Sequence, residues 1–391
     1  MTTEQTPSRL DSVDVLRGLV IILMAWDHTR DFFHSAVYQF DALDLAKTTP
    51  AIWFSRWITH FCAPVFVLLA GAGAFLSTGR GRTTRDLSWF LLTRGLWLVV
   101  LELTWVRWAG WTFGLNLREH QGLVLWAIGW SMVVLAALVW LPRTITLGFG
   151  LVLMAGHNLL DGITPESWGR WEGWWRVLHA GGSFELLPGV TFGAGYPLVP
   201  WIGVMAAGYG LGAELAREPG ERRRRLAWLG GAMVAGFLVL RGWNGYGEPK
   251  AWALQDHWLK TVGSFLDCTK YPPSLDYLLM TLGPALLALA WLDRGVPRWL
   301  QPALLFGRVP LFFYVLHLPL IHALSVGVNL LRFGHADWLW GNAPAKPPPG
   351  AGFDLPVVLG AWLLVLLILS PVCRWFADYK RRARAGWTSY L

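Results

Sequence analysis

The residues with the most chemistry in them lie between Arg17 and Phe33, RGLVIILMAWDHTRDFF, an apolar run that closes on Asp27, His28, Arg30 and Asp31. At 100° per residue, Asp14, Arg17, Ile21, Met24, His28 and Asp31 fall on one helical stripe. Arg17 and His28 share that face to within about 20°, with a rise of about 16 Å between them. Ionisable groups are costly in lipid, so a membrane helix must turn such a stripe inward, where it marks a site or a pathway. An imidazole suits proton transfer near neutral pH, which makes His28 a general base or nucleophile. Asp31, one turn on, would fix its tautomer. Asp27 lies about 100° round the helix and would serve a different partner. Arg17 would hold an anion three turns away. The competing reading is a structural ion-pair network at the helix ends.

The elements that carry this stripe belong to a membrane protein. Of 391 residues, 54% are hydrophobic, 27 are Trp and only 15% are charged, and the mean hydropathy is +0.41. Soluble domains carry about 25% charged residues, so most of this chain sits in lipid. A net charge of +8 could suggest nucleic acid. The basic residues instead sit in short tracts beside apolar segments, as the positive-inside rule predicts, and no nucleic-acid partner is expected. Cys62 and Cys373 lie in apolar segments and Cys268 in a loop, so no disulfide framework is implied. Glu4, Asp11 and the lack of a cleavage site after Ala25 argue against a signal peptide, so the first helix should stay attached.

Apolar runs long enough to span a bilayer occur at about ten places. They are roughly 12–33, 52–77, 87–105, 121–140, 144–160, 196–216, 225–241, 274–292, 304–330 and 355–376. The expected fold is all-α: a polytopic helical bundle of about ten transmembrane helices in one domain over 1–391, with a basic tail at 377–391. Arg80, Arg82 and Arg85, Arg217 with Arg222 to Arg225, Arg294 and Arg298, and Lys380, Arg381, Arg382 and Arg384 all fall on one side of such a bundle. That places both termini in the cytoplasm. The stretches 161–195 and 242–273 are long outer loops packed on the mouth, and Ala343 to Gly350 is a proline-rich extended tract. Gly71, Ala72, Gly73 and Ala74 let a helix or ligand approach the second span closely. In this topology eight of the ten histidines face the outer half, leaving His317 and His322 deeper, so base chemistry belongs toward the outer side.

Further candidates lie elsewhere. His60 and Cys62 read as packing residues, with Pro64 kinking their helix. Arg94 and Glu102 in the third span lie about 80° apart and should find partners on neighbouring helices. Arg94 is a second candidate for gripping a polyanion, and Arg308 enters the ninth span at the same side. Tyr314 and His317 lie one turn apart deep in that span, where each could satisfy the other. Lys270, in KYPPSLDYLLM, sits where it could meet an anionic substrate or simply be solvated. There is no Walker loop, no zinc-type spacing and no GxGxxG, so no metal is expected.

The stretches RLDSVDVLRGLVIILMAWDHTRDFF, HFCAPVFVLLAGAGAFLS, YPLVPWIGVMAAGYGLG, KYPPSLDYLLMTLGP and FGRVPLFFYVLHLPLIH, in that order, resemble a bacterial member of the heparan-α-glucosaminide N-acetyltransferase catalytic-domain family. The resemblance runs from about residue 9 to about 335. The opening is also similar to broader transmembrane acyltransferases, where Arg-Gly on the first helix (Arg17, Gly18) precedes a His (His28) by about three turns. It implies transfer of an acetyl or other acyl group from cytoplasmic acetyl-CoA (acyl-CoA) to an amine or hydroxyl of a sugar-like or glycan acceptor on the outer face. A luminal histidine after the first helix is implicated in the family. The loop here is shorter and differently composed, and either His28 or His34 fills that role.

The expectation is therefore an acyl-CoA-dependent acyltransferase of the lipid bilayer, in a bacterial inner membrane, compatible with a homodimer. Arg17, Arg94 and Arg308 would hold CoA; His28, Asp31, Asp27 and His34 are the catalytic candidates; Tyr314, His317 and Lys270 would meet the acceptor. The alternative is a multi-pass transporter or flippase using the same stripe as a solute path, against which the lack of an internal repeat counts. A membrane haem protein would need two axial histidines facing each other at matched depth.

Overall fold

The apolar runs of the sequence are helical in the computed structural model, which describes residues 10–79, 81–341, 346–383, 388 and 390. The run 304–330 is the exception in continuity: it breaks at Val309, so Arg308 ends one helix and the spanning helix starts at Pro310. Arg80, Arg384 and residues 343–345 of the proline-rich tract lie outside the described residues. Of the described residues, 73% are helical. In order the α-helices are α1 (Asp11–Phe33), α2 (Pro50–Trp57), α3 (Cys62–Thr78), α4 (Thr84–Leu101), α5 (Val124–Leu138), α6 (Arg143–Gly156), α7 (Glu172–Trp175), α8 (Leu198–Leu215), α9 (Pro219–Trp243), α10 (Trp258–Leu266), α11 (Leu275–Leu292), α12 (Gln301–Arg308), α13 (Pro310–Phe333) and α14 (Leu355–Ala383).

Among the described residues, seven segments are long and apolar enough to cross a membrane on their own: Pro50–Thr78, Thr84–Trp111, Leu198–Leu215, Pro219–Trp243, Leu275–Leu292, Pro310–Phe333 and Leu355–Ala383. The remaining three expected spans are helical too. Charge sets α1 apart from these seven, since Asp11, Asp14, Arg17, Asp27, Arg30 and Asp31 all sit on it. The short α5 is apolar throughout, and Arg143–Leu160 forms a bent pair with Pro165–Ala180 at 109°. The fold is an all-α polytopic bundle.

Two helix crossings are set by missing side chains. A Cβ on Gly18 of α1 would lie 1.9 Å from the Ala303 carbonyl oxygen of α12, and one on Gly307 would lie 1.8 Å from the Asp14 oxygen. The backbones of α1 and α12 touch there, as small residues permit between membrane helices. The same holds for α3 and α8. There a Cβ on Gly71 would sit 2.1 Å from the Met205 oxygen and one on Gly208 2.2 Å from the Leu68 oxygen. Gly73, by contrast, faces open space.

The long loops are pinned, and one adds a strand element that composition did not suggest. Strands β1 (Glu119–Gly122), β2 (Gly182–Leu187) and β3 (Val190–Ala194) form a small sheet in the order β1-β3-β2, with β1 parallel and β2 antiparallel to β3. In the stretch after α9, the buried Arg241 guanidinium donates to the carbonyls of Phe265, Lys250, Ser264 and Asp267. Five donors in a rigid fork make arginine suited to gathering carbonyls this way. Glu248 accepts from the Thr269 N–H at 2.8 Å and from the Ser274 hydroxyl at 2.6 Å. Ser274 in turn caps α11 by accepting from Tyr277 N. These bonds fix the segment that carries Lys270 and Tyr271.

Candidate active site

His28 is half-buried on the last turns of α1, and the tertiary structure gives its ring a partner from α13. His28 Nδ1 lies 2.7 Å from His317 Nε2, and His317 Nδ1 lies 2.7 Å from the Tyr314 carbonyl oxygen. A carbonyl can only accept, so His317 Nδ1 carries hydrogen and, in the neutral ring, Nε2 is the lone pair. His28 must then donate from Nδ1, and its own Nε2 is left as a lone pair with no hydrogen-bond partner among the described residues. The relay fixes a tautomer, as a second group must for any catalytic histidine. Trp111 packs edge-on against the His28 ring with centroids 5.3 Å apart, and Phe313 stacks on His317. At 2.7 Å the two histidines share a hydrogen bond.

A charged cluster surrounds this end of α1. Asp27 accepts from Arg56 at 2.8 and 2.6 Å and from Arg30 at 3.1 Å. Arg30 also donates to Asp31 at 2.8 Å. Lys270 is close enough for its charge to act on Asp27, His28 and Asp31, and its ammonium lies 5.2 Å from the Tyr271 ring centroid. The Tyr271 hydroxyl donates to Tyr196 at 3.3 Å. Three cations against two carboxylates leave the cluster with an excess of one positive charge, next to an imidazole lone pair.

The family profile of the heparan-alpha-glucosaminide N-acetyltransferase catalytic domain matches residues 9–244, more than half of the chain. The chain belongs to that family. It is accordingly an acetyltransferase-type enzyme and an integral membrane protein. Among curated proteins, none matches the sequence. The matched stretch of the N-acetyltransferase family covers Arg17, His28 and Arg94, whereas His317, Lys270 and Arg308 lie beyond it.

The residues singled out from sequence fall into two groups and one outlier. Arg17, Arg94 and Arg308 gather at one end of the bundle. Arg17 donates to Asp14 at 3.1 Å and to the Gly307 carbonyl at 3.5 Å. Arg308 pairs with Asp11 at 3.4 Å, and the Arg94 charge acts on Arg17 and Arg82. Asp27, His28, Asp31, His317 and Lys270 gather at the other end. His34 is apart. Its Nδ1 accepts from Ala36 N at 3.0 Å as a local cap, and burial lowers its pKa, helped by Arg30. It lines a separate cavity of about 390 Å³ with Gln39, Thr49 and Asp354. A second, apolar groove of about 450 Å³, lined by Leu68, Leu147 and Leu282, holds none of the charged groups around His28.

Two expectations are corrected in detail. Asp31 does not orient His28; it bonds Arg30, and His317 occupies the orienting position. Tyr314 meets His317 through its backbone carbonyl and not through its hydroxyl, because an i,i+3 carbonyl lies in reach of a helical histidine ring. Arg56, Tyr271 and Tyr196 were not singled out from sequence. Arg56 lies near Pro64, Tyr271 inside the KYPPS motif and Tyr196 at the start of YPLVPW, but such positions carry no distance information. Glu102 does find a neighbour, accepting from Leu125 N at 2.7 Å at the start of α5.

Proposed function

We propose that this protein moves an acetyl or other acyl group from acyl-CoA, bound at the Arg17 end of the bundle, to an amine or hydroxyl of a sugar-like acceptor entering at the His28 end. The observation that carries the reading is the hydrogen-bonded relay from the Tyr314 carbonyl through His317 to His28, which leaves His28 Nε2 as the available base. The acceptor N–H or O–H gives its proton to Nε2 as it attacks the thioester carbonyl, and the CoA thiolate leaves. The imidazolium then donates more strongly from Nδ1 to His317, and Asp27 balances part of its charge. Arg17 and Arg94 supply cations for the CoA phosphates, and the rise of about 16 Å up α1 is the length a pantetheine arm must cover. In this reading the Arg17 end is cytoplasmic, the His28 end is the outer face, and Lys270 and Arg56 meet polar groups of the acceptor.

The test is transfer from radiolabelled acetyl-CoA to a panel of amino sugars, with purified wild type beside His28→Ala. Loss of the general base should lower the rate by about 10²–10⁴-fold while acetyl-CoA binding persists. Full transfer by His28→Ala would sink the assignment of the base.

A further inference from the structure

The bend between Arg143–Leu160 and Pro165–Ala180 brings together His157, Asp161 and His179, one ligand atom of each lying within 4.8 Å of the others. From these residues we infer a site for a divalent transition metal of the zinc type, clipping the bent outer segment to the helix before it.

The first support is the donor set. Two imidazoles and a carboxylate are the ligands that zinc takes when a fourth position is left to water. Tetrahedral bonds of about 2.0–2.1 Å hold ligand atoms about 3.3 Å apart. His179 Nε2 and Asp161 Oδ1 stand 3.5 Å apart. The second support is independent of that spacing. His157 is 2% exposed, and among the described residues neither of its ring nitrogens has a hydrogen-bond partner. The Pro273 carbonyl lies close by but outside hydrogen-bond geometry. A buried imidazole with both nitrogens unsatisfied costs free energy unless something binds it. The two imidazole rings stand at 69° with centroids 5.6 Å apart, a splayed pair facing the carboxylate.

The surroundings match what a metal-binding carboxylate and histidine need around them. Asn158 donates from Nδ2 to Asp161 Oδ2 at 2.8 Å, leaving Oδ1 turned to His179. Trp175 packs on the His179 ring at 5.2 Å. His179 sits in a π-helical turn, Arg176–Ala180, a wide turn that often marks functional positions. Without metal, His179 Nε2 donates to the His157 carbonyl at 2.9 Å. On binding, that nitrogen gives up its hydrogen, which moves to Nδ1 or to solvent, and its lone pair takes the metal. Asn158 Oδ1 also accepts from Leu275 N at 2.9 Å. The metal would therefore brace the start of α11, just after the segment that presents Lys270 and Tyr271.

The experiment uses tag-free full-length protein in detergent, stripped with chelator and dialysed against Zn²⁺ or, separately, Co²⁺. One zinc per chain is expected by elemental analysis, and the Co²⁺ form should show visible d–d absorption from imidazole and carboxylate ligation. Asp161→Asn and His179→Gln should each lose both signals, while His120→Gln keeps them. Asp161 faces solvent, so Asp161→Asn keeps the fold and decides the matter even if His179→Gln does not fold. No metal uptake by wild type, or wild-type uptake by Asp161→Asn, would overturn the site.

Discussion

The Tyr277 hydroxyl of α11 donates to the His60 carbonyl at 2.7 Å. Within a helix that carbonyl would accept from residue 64, but Pro64 has no N–H to give. The chain runs as a 3₁₀ turn through Ile58–Phe61 before α3 begins, and a neighbouring helix fills the vacancy. The same solution recurs at Pro319 in α13, whose missing donor leaves the Val315 carbonyl to the Trp105 indole at 2.8 Å. Each proline thus creates an acceptor that ties its helix to another, since a backbone carbonyl left bare in lipid is costly. The first tie lies beside the charged cluster and the second on the helix of His317.

Tyr277→Phe removes only the hydroxyl from a fully buried ring. Leaving the His60 carbonyl unpaired should cost about 1–3 kcal/mol. A lowered unfolding midpoint in detergent is the expected result, and an unchanged midpoint would mean that the carbonyl finds another donor.

The His28–His317 relay makes a chemical prediction. In His317→Gln the side-chain oxygen can still accept from His28 Nδ1, whereas in His317→Leu nothing can. His317→Leu should lose more kcat than His317→Gln, with KM for acetyl-CoA little changed in both. Equal loss in the two variants would reduce His317 to a packing residue.

Arg17 is held in place by the contact of α1 with α12 at Gly18. In Gly18→Ala the Cβ meets the Ala303 carbonyl, so the helices must separate. Acetyl-CoA binding should weaken in Gly18→Ala as it does in Arg17→Ala, while His28→Ala binds normally. Calorimetry on the three variants checks this, and normal binding by Arg17→Ala would remove Arg17 from the CoA site.

His34 predicts an acid sensitivity separate from catalysis. Burial lowers its folded pKa, and its Nδ1 must stay unprotonated to accept from Ala36 N. The unfolded chain takes up the proton first, so stability should fall as pH drops below about 6.5, the ordinary histidine value. The fall stops at the lower folded value. An Asn in this position can accept from the same N–H without titrating. His34→Asn should therefore flatten the acid limb of a pH-dependent thermal melt, and a limb as steep as wild type would contradict the assignment.

The sequence alone determined the membrane class, the helical runs and the stripe of α1. These rest on local quantities, namely apolar run length, charge spacing and the 3.6-residue period, and the expected runs are helical in the structure, though 304–330 breaks at Val309. The residues singled out from sequence sort by end in the structure, with Arg17 and Arg308 near the start of α1 and Asp27, His28 and His317 at the other end. The tertiary structure decided the partners. His28 and His317 are 289 residues apart, and nothing in the spacing of either says that the rings meet. Asp31 had the right spacing to serve His28, but Arg30 binds it more strongly, because a guanidinium beside a carboxylate outcompetes a neutral ring. His157 and His179 are separated by a bend of 109°, and a helical period carries no information across a bend. Which groups share a proton or a charge is a matter of packing between elements, and packing is decided only when the helices close on one another.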